Sequence, residues 1–158
     1  MQDYRRSQGQ QRGPYQPNQQ GGNRGQNDAP RPPYTQAHPI NPVWITQEAK
    51  KEMVTYADAV GKKIKNLSSS QIRNIYGEMK RIQVKGFDAA KASFYLLKPK
   101  VAYAYGRALK GTRPSEEMKT FKEVFDAAFD CVTDARTYDN FCNFIEAILA
   151  YHKFHGGK

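Results

Sequence analysis

Apolar residues between positions 44 and 158 recur every three or four residues, the interval that places side chains on one face of a helix. The alternation typical of strands does not persist in this part of the chain. The best-spaced stripe consists of Ile72, Ile75, Met79 and Ile82. A longer stripe consists of Met118, Phe121, Val124, Phe125, Ala128, Phe129 and Val132. The pattern predicts an all-α protein, a compact bundle of about five to six helices.

Capping residues and a proline mark where these helices should begin. We expect Thr46 to cap a first helix that extends to about residue 65. Ser68 lies three residues before Gln71, which is the spacing of a capping box. Pro99 is expected to restart a helix, because proline is tolerated at a first helical position. Further caps are predicted at Asp88, Ser115 and Thr137.

The N-terminal segment has a different composition, with nine glutamines, five glycines and six prolines before Ile40. Such a segment buries too little apolar surface to offset the entropy of ordering its backbone. The sequence therefore predicts a disordered tail over residues 1–43, followed by a helical domain over residues 44–158. Arginines and tyrosines are interleaved in the tail, as they are in RNA-contacting low-complexity segments, but this composition favours a solubilising or merely tolerated extension.

Composition also excludes several classes of protein. The two cysteines, Cys131 and Cys142, form no CxxC motif, which argues against a disulfide framework or a zinc ribbon and favours a reducing, cytoplasmic compartment. No apolar run approaches the ~20 residues that span a bilayer, and no signal peptide is visible. We therefore expect no membrane partner.

Charge is concentrated in one quarter of the chain. Residues 71–110 hold nine basic and two acidic side chains, a net charge of +7 out of +10 for the whole protein. An ordinary solvated helix face would mix acidic with basic residues. A concentrated positive surface is typical of a protein that binds a polyanion, most often a nucleic acid.

Two helical segments of this quarter carry the basic residues beside their apolar stripes. The first stripe consists of Arg73, Lys80 and Arg81. The second, spaced at three and four positions, consists of Lys100, Tyr103, Arg107 and Lys110. No base-reading motif is visible, so we expect contacts to phosphates and sugars, with base stacking on the tyrosine. A helical adaptor that docks an acidic protein on the same basic face is the alternative.

Catalytic and metal-binding motifs are absent from the sequence. His152 and His155 lie three residues apart, but no further ligand accompanies them. A ladder of acids on one predicted helix suggests a metal-dependent nuclease as a weaker alternative; it consists of Glu123, Asp126, Asp130 and Asp134. Lysines flank the ladder, as is usual for a solvated helix face. We expect no enzyme activity, no cofactor and no metal site.

Three segments together carry a family resemblance. They are residues 67–74 (LSSSQIRN), 97–107 (LKPKVAYAYGR) and 141–157 (FCNFIEAILAYHKFHGG). In this order they resemble the small subunit of type III-A CRISPR–Cas effector complexes, the helical protein of the Csm complex. The resemblance extends from about Leu67 to the end of the chain, and the first predicted helix fits it only loosely.

The resemblance implies a non-catalytic, RNA-binding subunit of an antiviral defence complex. Several copies would lie head to tail beside the backbone subunits and the large catalytic subunit, along the guide RNA and its target RNA. The motifs carry over four positions as RNA contacts, namely Arg73, Lys98, Lys100 and Arg107. The other expected contacts, Lys80, Arg81, Tyr103 and Lys110, come from the helical faces alone, and Lys153 would lie at the edge.

Overall fold

The computed structural model describes residues 40–107 and 116–157 of the chain. The predicted tail up to residue 39, the predicted cap at Ser115 and the predicted contact at Lys110 lie outside this part. The remaining predictions fall on described residues. Ile40, which the sequence prediction assigns to the tail, is buried in the same core as Trp44.

The described residues form seven helical segments and no strand. They are α1 (Val43–Thr46), α2 (Lys51–Lys63), α3 (Ser69–Lys85), α4 (Lys91–Tyr95), α5 (Leu97–Arg107), α6 (Glu116–Phe129) and α7 (Ala135–Phe154). Because α1 is a single turn, six longer helices remain. The predicted all-α bundle is confirmed.

Helix α7 is the centre of the bundle and packs against α1, α2, α3 and α6. The predicted apolar stripe of α3 is buried, and its Met79 is wholly inaccessible. Phenylalanines from three helices meet in the core, where the rings of Phe94 and Phe129 stack at 4.1 Å and Phe125 meets Phe141 edge-on at 5.3 Å. Full burial of each such side chain stabilises the fold by about 1.5–3 kcal/mol.

A glycine allows a close contact between α2 and α7 in the core. A Cβ atom added at Gly61 would lie 2.6 Å from Tyr151 Cβ and 2.7 Å from the His152 backbone nitrogen. Real Cβ atoms do not approach other atoms so closely. The absence of a side chain at this position therefore sets the distance between the two helices.

The predicted helix start at Thr46 is wrong. Thr46 is the last residue of α1, and its Oγ1 donates to the Pro42 carbonyl at 3.1 Å. Helix α2 begins five residues later, at Lys51. The reason is tertiary: Arg136 and Asn140 of α7 donate to carbonyls at the end of α1, including Thr46 O at 2.8 Å and Ile45 O at 2.9 Å.

Local signals at the other helix starts succeed in part. Ser68 is the N-cap of α3 as predicted, but its Oγ accepts from the Ser70 N–H, while the Gln71 N–H donates to the Ser68 carbonyl. Pro99 is the third residue of α5, within the first turn, where its missing N–H still breaks no helical hydrogen bond.

Two predicted caps are wrong. Thr137 is the third residue of α7, and Asp134 is the N-cap, because the Asp134 carboxylate accepts from the Thr137 N–H at 2.8 Å and Thr137 Oγ1 accepts from the Asp134 N–H at 2.9 Å. Asp88 caps nothing, since α4 begins after Ala90, which offers no side-chain cap. The turn before α4 is instead closed by the Ala90 N–H, which donates to Gly86 O and Phe87 O.

Candidate nucleic-acid interface

An open groove of about 1070 Å³ lies between α3 and α5. Apolar side chains such as Ile75 and Leu96 form part of its lining. Its basic and aromatic lining consists of Arg73, Arg81, Lys100, Tyr103 and Arg107. The structure thus brings together five of the eight side chains that the sequence predicts as RNA contacts.

Buried residues on both helices turn these side chains into the groove. On α3, the buried stripe fixes the helix rotation, and Arg73 and Arg81 are eight residues apart, so they lie about two turns apart along the groove. On α5, Leu97 and Val101 are fully buried, which leaves Lys100, Tyr103 and Arg107 on the exposed side. The groove therefore follows from the two amphipathic patterns.

Tyr103 presents an accessible ring in this groove. Its side chain is 68% exposed, although large aromatic residues are usually mostly buried. The neighbouring Leu96 is 56% exposed and also lines the groove. An exposed aromatic ring among cations suits stacking by a nucleic-acid base, because every base has a π-face.

One carboxylate lies among the cations. Glu78 is the only acidic side chain among the described residues that line the groove. Its Oε2 is 3.0 Å from Lys100 Nζ, and its Oε1 is 2.6 Å from Arg81 Nη1. The hydrogen bond from Lys100 lowers the pKa of Glu78, and the charges of Lys100 and Arg81 add to this effect against a smaller opposing effect of burial. Glu78 therefore stays ionised and joins α3 to α5.

The other two groove cations have no such partner. Neither Arg73 nor Arg107 forms an ion pair with any residue in the described part of the chain. A guanidinium group offers five N–H donors in a planar fork that matches a phosphate. Both arginines are exposed and line the groove, so their donors are accessible to a ligand there.

Lys80 faces away from this groove. Its Nζ pairs with Glu146 Oε2 of α7 at 3.0 Å and lies 5.5 Å from the centre of the Tyr76 ring. The hydrogen bond with Glu146 raises the pKa of Lys80. Arg73 and Lys80 thus share one face of α3, but Arg73 lines the groove whereas Lys80 pairs with α7.

Lys98 faces a third direction, towards α6. Its Nζ pairs with Asp130 Oδ1 at 2.5 Å and lies 5.4 Å from the centre of the Phe129 ring. The expected RNA contacts at Lys80 and Lys98 stay predictions, and the structure places both residues in ion pairs outside the groove.

Arg73 also borders a second, smaller groove of about 440 Å³ between α3 and α7. Tyr76, Leu149 and Lys153 line it, and Lys153 Nζ donates to the Gly157 carbonyl at 3.3 Å. The expected edge contact at Lys153 is therefore separated from the larger groove by α3. Sequence reasoning missed Tyr76 and Glu78, although Glu78 lies three residues before Arg81, which is ion-pair spacing on a helix.

The histidines do not form a metal site with each other. His152 Nε2 is 3.1 Å from the buried Leu67 carbonyl, whereas His155 Nε2 is 2.5 Å from Asp58 Oδ1. The two rings therefore form hydrogen bonds with different partners, His152 with the segment before α3 and His155 with α2.

The acids of the predicted ladder likewise interact with different partners. Asp126 pairs with Lys122, Asp130 pairs with Lys98, and Asp134 caps α7. Over residues 40–107 and 116–157, no group of three or more His, Cys, Asp or Glu side chains is placed to hold a metal ion. These contacts give no support to a metal-dependent nuclease.

The described residues define an all-helical domain with an open, basic and partly aromatic groove on one side. A family model described as Csm2 Type III-A matches residues 47–158. The chain therefore belongs to the Csm2 family, the small subunits of type III-A Csm complexes. The match includes α2, which lies outside the three motifs that suggested the family. No curated protein and no solved structure matches the chain.

The sequence predicts no segment that spans a membrane. Over the residues that the structure describes, no helix is both long and apolar enough to cross a bilayer.

Proposed function

We propose that this small subunit is a non-catalytic RNA-binding component of its complex, and that the groove between α3 and α5 is the RNA contact. The observation that carries the proposal is the juxtaposition of an exposed tyrosine ring with two guanidinium groups that form no ion pair within residues 40–107 and 116–157. Arg73 and Arg107 project from different helices into one groove with Tyr103. Phosphates bind the arginines, and a base stacks on the tyrosine.

Such an interface binds RNA with little dependence on sequence. Phosphate contacts position a strand but carry no base information, and stacking tolerates every base. This property suits a subunit that lies along a guide RNA and its bound target RNA, whose sequences vary. Several copies, placed head to tail beside the backbone subunits and the large catalytic subunit, would repeat the same contact along the RNA. Catalysis belongs to other subunits in this proposal.

The test is the double variant Arg73→Ala with Arg107→Ala in the full chain. Charge-assisted hydrogen bonds contribute about 1.5–3 kcal/mol each, so single-stranded RNA should bind at least ~10-fold more weakly to the variant. With ~5 phosphates contacted by the wild type, the log–log slope of affinity against salt should be about −3.5, and it should become shallower in the variant. Fluorescence anisotropy at several salt concentrations measures both quantities.

The matched control removes two lysines instead. Lys51 and Lys62 are exposed on α2, and neither lines the groove. Lys51→Ala with Lys62→Ala lowers the net charge equally and should change RNA affinity less than ~3-fold, as expected for charges outside the contact. If the two double variants bind RNA equally well, the groove is not the RNA contact. An acidic partner protein that binds the groove while RNA does not would favour the adaptor.

A further inference from the structure

The clearest unexplained feature of the groove is the acid at its centre. A polyanion-binding surface gains nothing from a carboxylate, yet Glu78 lies between two of the four described groove cations. The cations of both pairs are largely exposed, since the side chains of Arg81 and Lys100 are 66% and 49% accessible, while the Glu78 side chain is 26% accessible. Ion pairs of this exposure contribute about 0–1 kcal/mol to stability. Holding α3 to α5 is therefore a weak explanation for Glu78.

We propose that Arg81 and Lys100 form a phosphate subsite, and that the Glu78 carboxylate occupies it in the RNA-free protein. The inference rests on the proposed function and assigns a second step to it. RNA first binds through Arg73 and Arg107. A phosphate of the same strand then replaces the carboxylate between the remaining two cations.

The geometry of the carboxylate is that of a bound phosphate. Each of its oxygens accepts from a different cation, at 2.6 Å from Arg81 and 3.0 Å from Lys100. A backbone phosphodiester likewise has two anionic oxygens, which accept charge-assisted hydrogen bonds of about 2.7–2.9 Å from such cations. Arg81 and Lys100 each use only part of their donor capacity on Glu78.

Exchange is sterically simple in this groove. The neighbouring Gly77 leaves open space, because a Cβ atom added there would meet nothing within 4 Å. The groove is open along α3, so the flexible Glu78 side chain can swing away without moving either helix. Displacement therefore needs a change of side-chain rotamer and no change of fold.

The opposite role for Glu78 makes an opposite prediction. If the carboxylate only orients Arg81 and Lys100, its removal disorders both cations and weakens RNA binding. If it occupies the subsite, its removal leaves two cations free and strengthens binding. The sign of the affinity change in Glu78→Gln separates the two roles, because glutamine keeps the size of the side chain and removes only its charge.

The experiment compares the full-length wild type with Glu78→Gln and Glu78→Ala, using a single-stranded oligouridine RNA over a range of NaCl concentrations. Both variants should bind about 3- to 10-fold more tightly at low salt, because a unit charge next to a phosphate is removed. The log–log salt slope should steepen by about 0.7, the increment for one more neutralised phosphate on a single strand. Circular dichroism should be unchanged.

Glu52→Gln is the charge-matched control, since Glu52 is exposed on α2 and does not line the groove. It should change the affinity less than ~2-fold. Unchanged or weaker binding by either Glu78 variant, in a protein whose wild type binds RNA through Arg73 and Arg107, overturns the subsite. A wild type that does not bind RNA, or an Arg73–Arg107 double variant that binds as the wild type does, overturns the proposed function instead.

Discussion

Single buried polar groups tie the helices of this bundle to one another. Tyr138 of α7 is 1% exposed, and its hydroxyl donates to the Met79 carbonyl of α3 at 2.7 Å. Burial raises the pKa of Tyr138 far above its usual value, so the hydroxyl keeps its proton and remains a donor. His152 of α7 makes a similar contact, since its Nε2 is hydrogen-bonded to the Leu67 carbonyl just before the N-cap of α3.

Removal of the Tyr138 hydroxyl should weaken the contact between α7 and α3. Tyr138→Phe is expected to lower the free energy of unfolding by about 0.5–1.5 kcal/mol, the net contribution of one hydrogen bond, and urea denaturation measures it. Tyr103→Phe is the matched control, since its ring is exposed, and it should leave the stability within about 0.5 kcal/mol of the wild type. Equal denaturation midpoints for both variants would show that the buried hydroxyl contributes nothing.

At the scale of helices, spacing predicts much and helix ends are predicted less well. The stripe of α3 and the outward face of α5 could be inferred because a period of 3.6 residues fixes which side chains share a face. The end of α1 could not, because Arg136 and Asn140 reach it from more than 85 residues away in sequence. The start of α7 was misplaced by three residues, because Asp134 and Thr137 are both acceptable caps and only geometry distinguishes them.

The contact between α2 and α7 should be the element pair least tolerant of a larger side chain. Gly61→Ala forces a Cβ atom against the α7 backbone, so we expect a loss of about 1–3 kcal/mol in the free energy of unfolding. Thermal or urea denaturation followed by circular dichroism measures it.

Gly77→Ala is the control for helix propensity. Gly77 lies within α3 with nothing near its absent Cβ, so the same substitution should stabilise the protein by about 0.4–1 kcal/mol. The packing therefore predicts changes of opposite sign in the free energy of unfolding for Gly61→Ala and Gly77→Ala. A stabilised Gly61→Ala variant would contradict the close approach of α2 to α7.

At the scale of the whole molecule, the sequence shows where basic residues are concentrated, but it does not show which of them form ion pairs. The excess of basic residues over positions 71–110 predicts a polyanion surface, and the family match supports the type of complex. Which cations stay unpaired depends on acids far along the chain, such as Glu146 for Lys80 and Asp130 for Lys98. These partners come together only in the folded bundle, so sequence spacing could not show that Lys80 and Lys98 lie outside the groove.

The most direct measurement is photocrosslinking of RNA to this subunit within a purified type III-A complex, with the crosslinked peptides mapped by mass spectrometry. We expect crosslinks at Tyr103 and its neighbours on α5, since a stacked ring lies within bonding distance of a base. They should disappear in the Arg73→Ala, Arg107→Ala double variant while the subunit still assembles. Crosslinks confined to α2 or α6, with none on α3 or α5, would contradict the groove as the RNA contact.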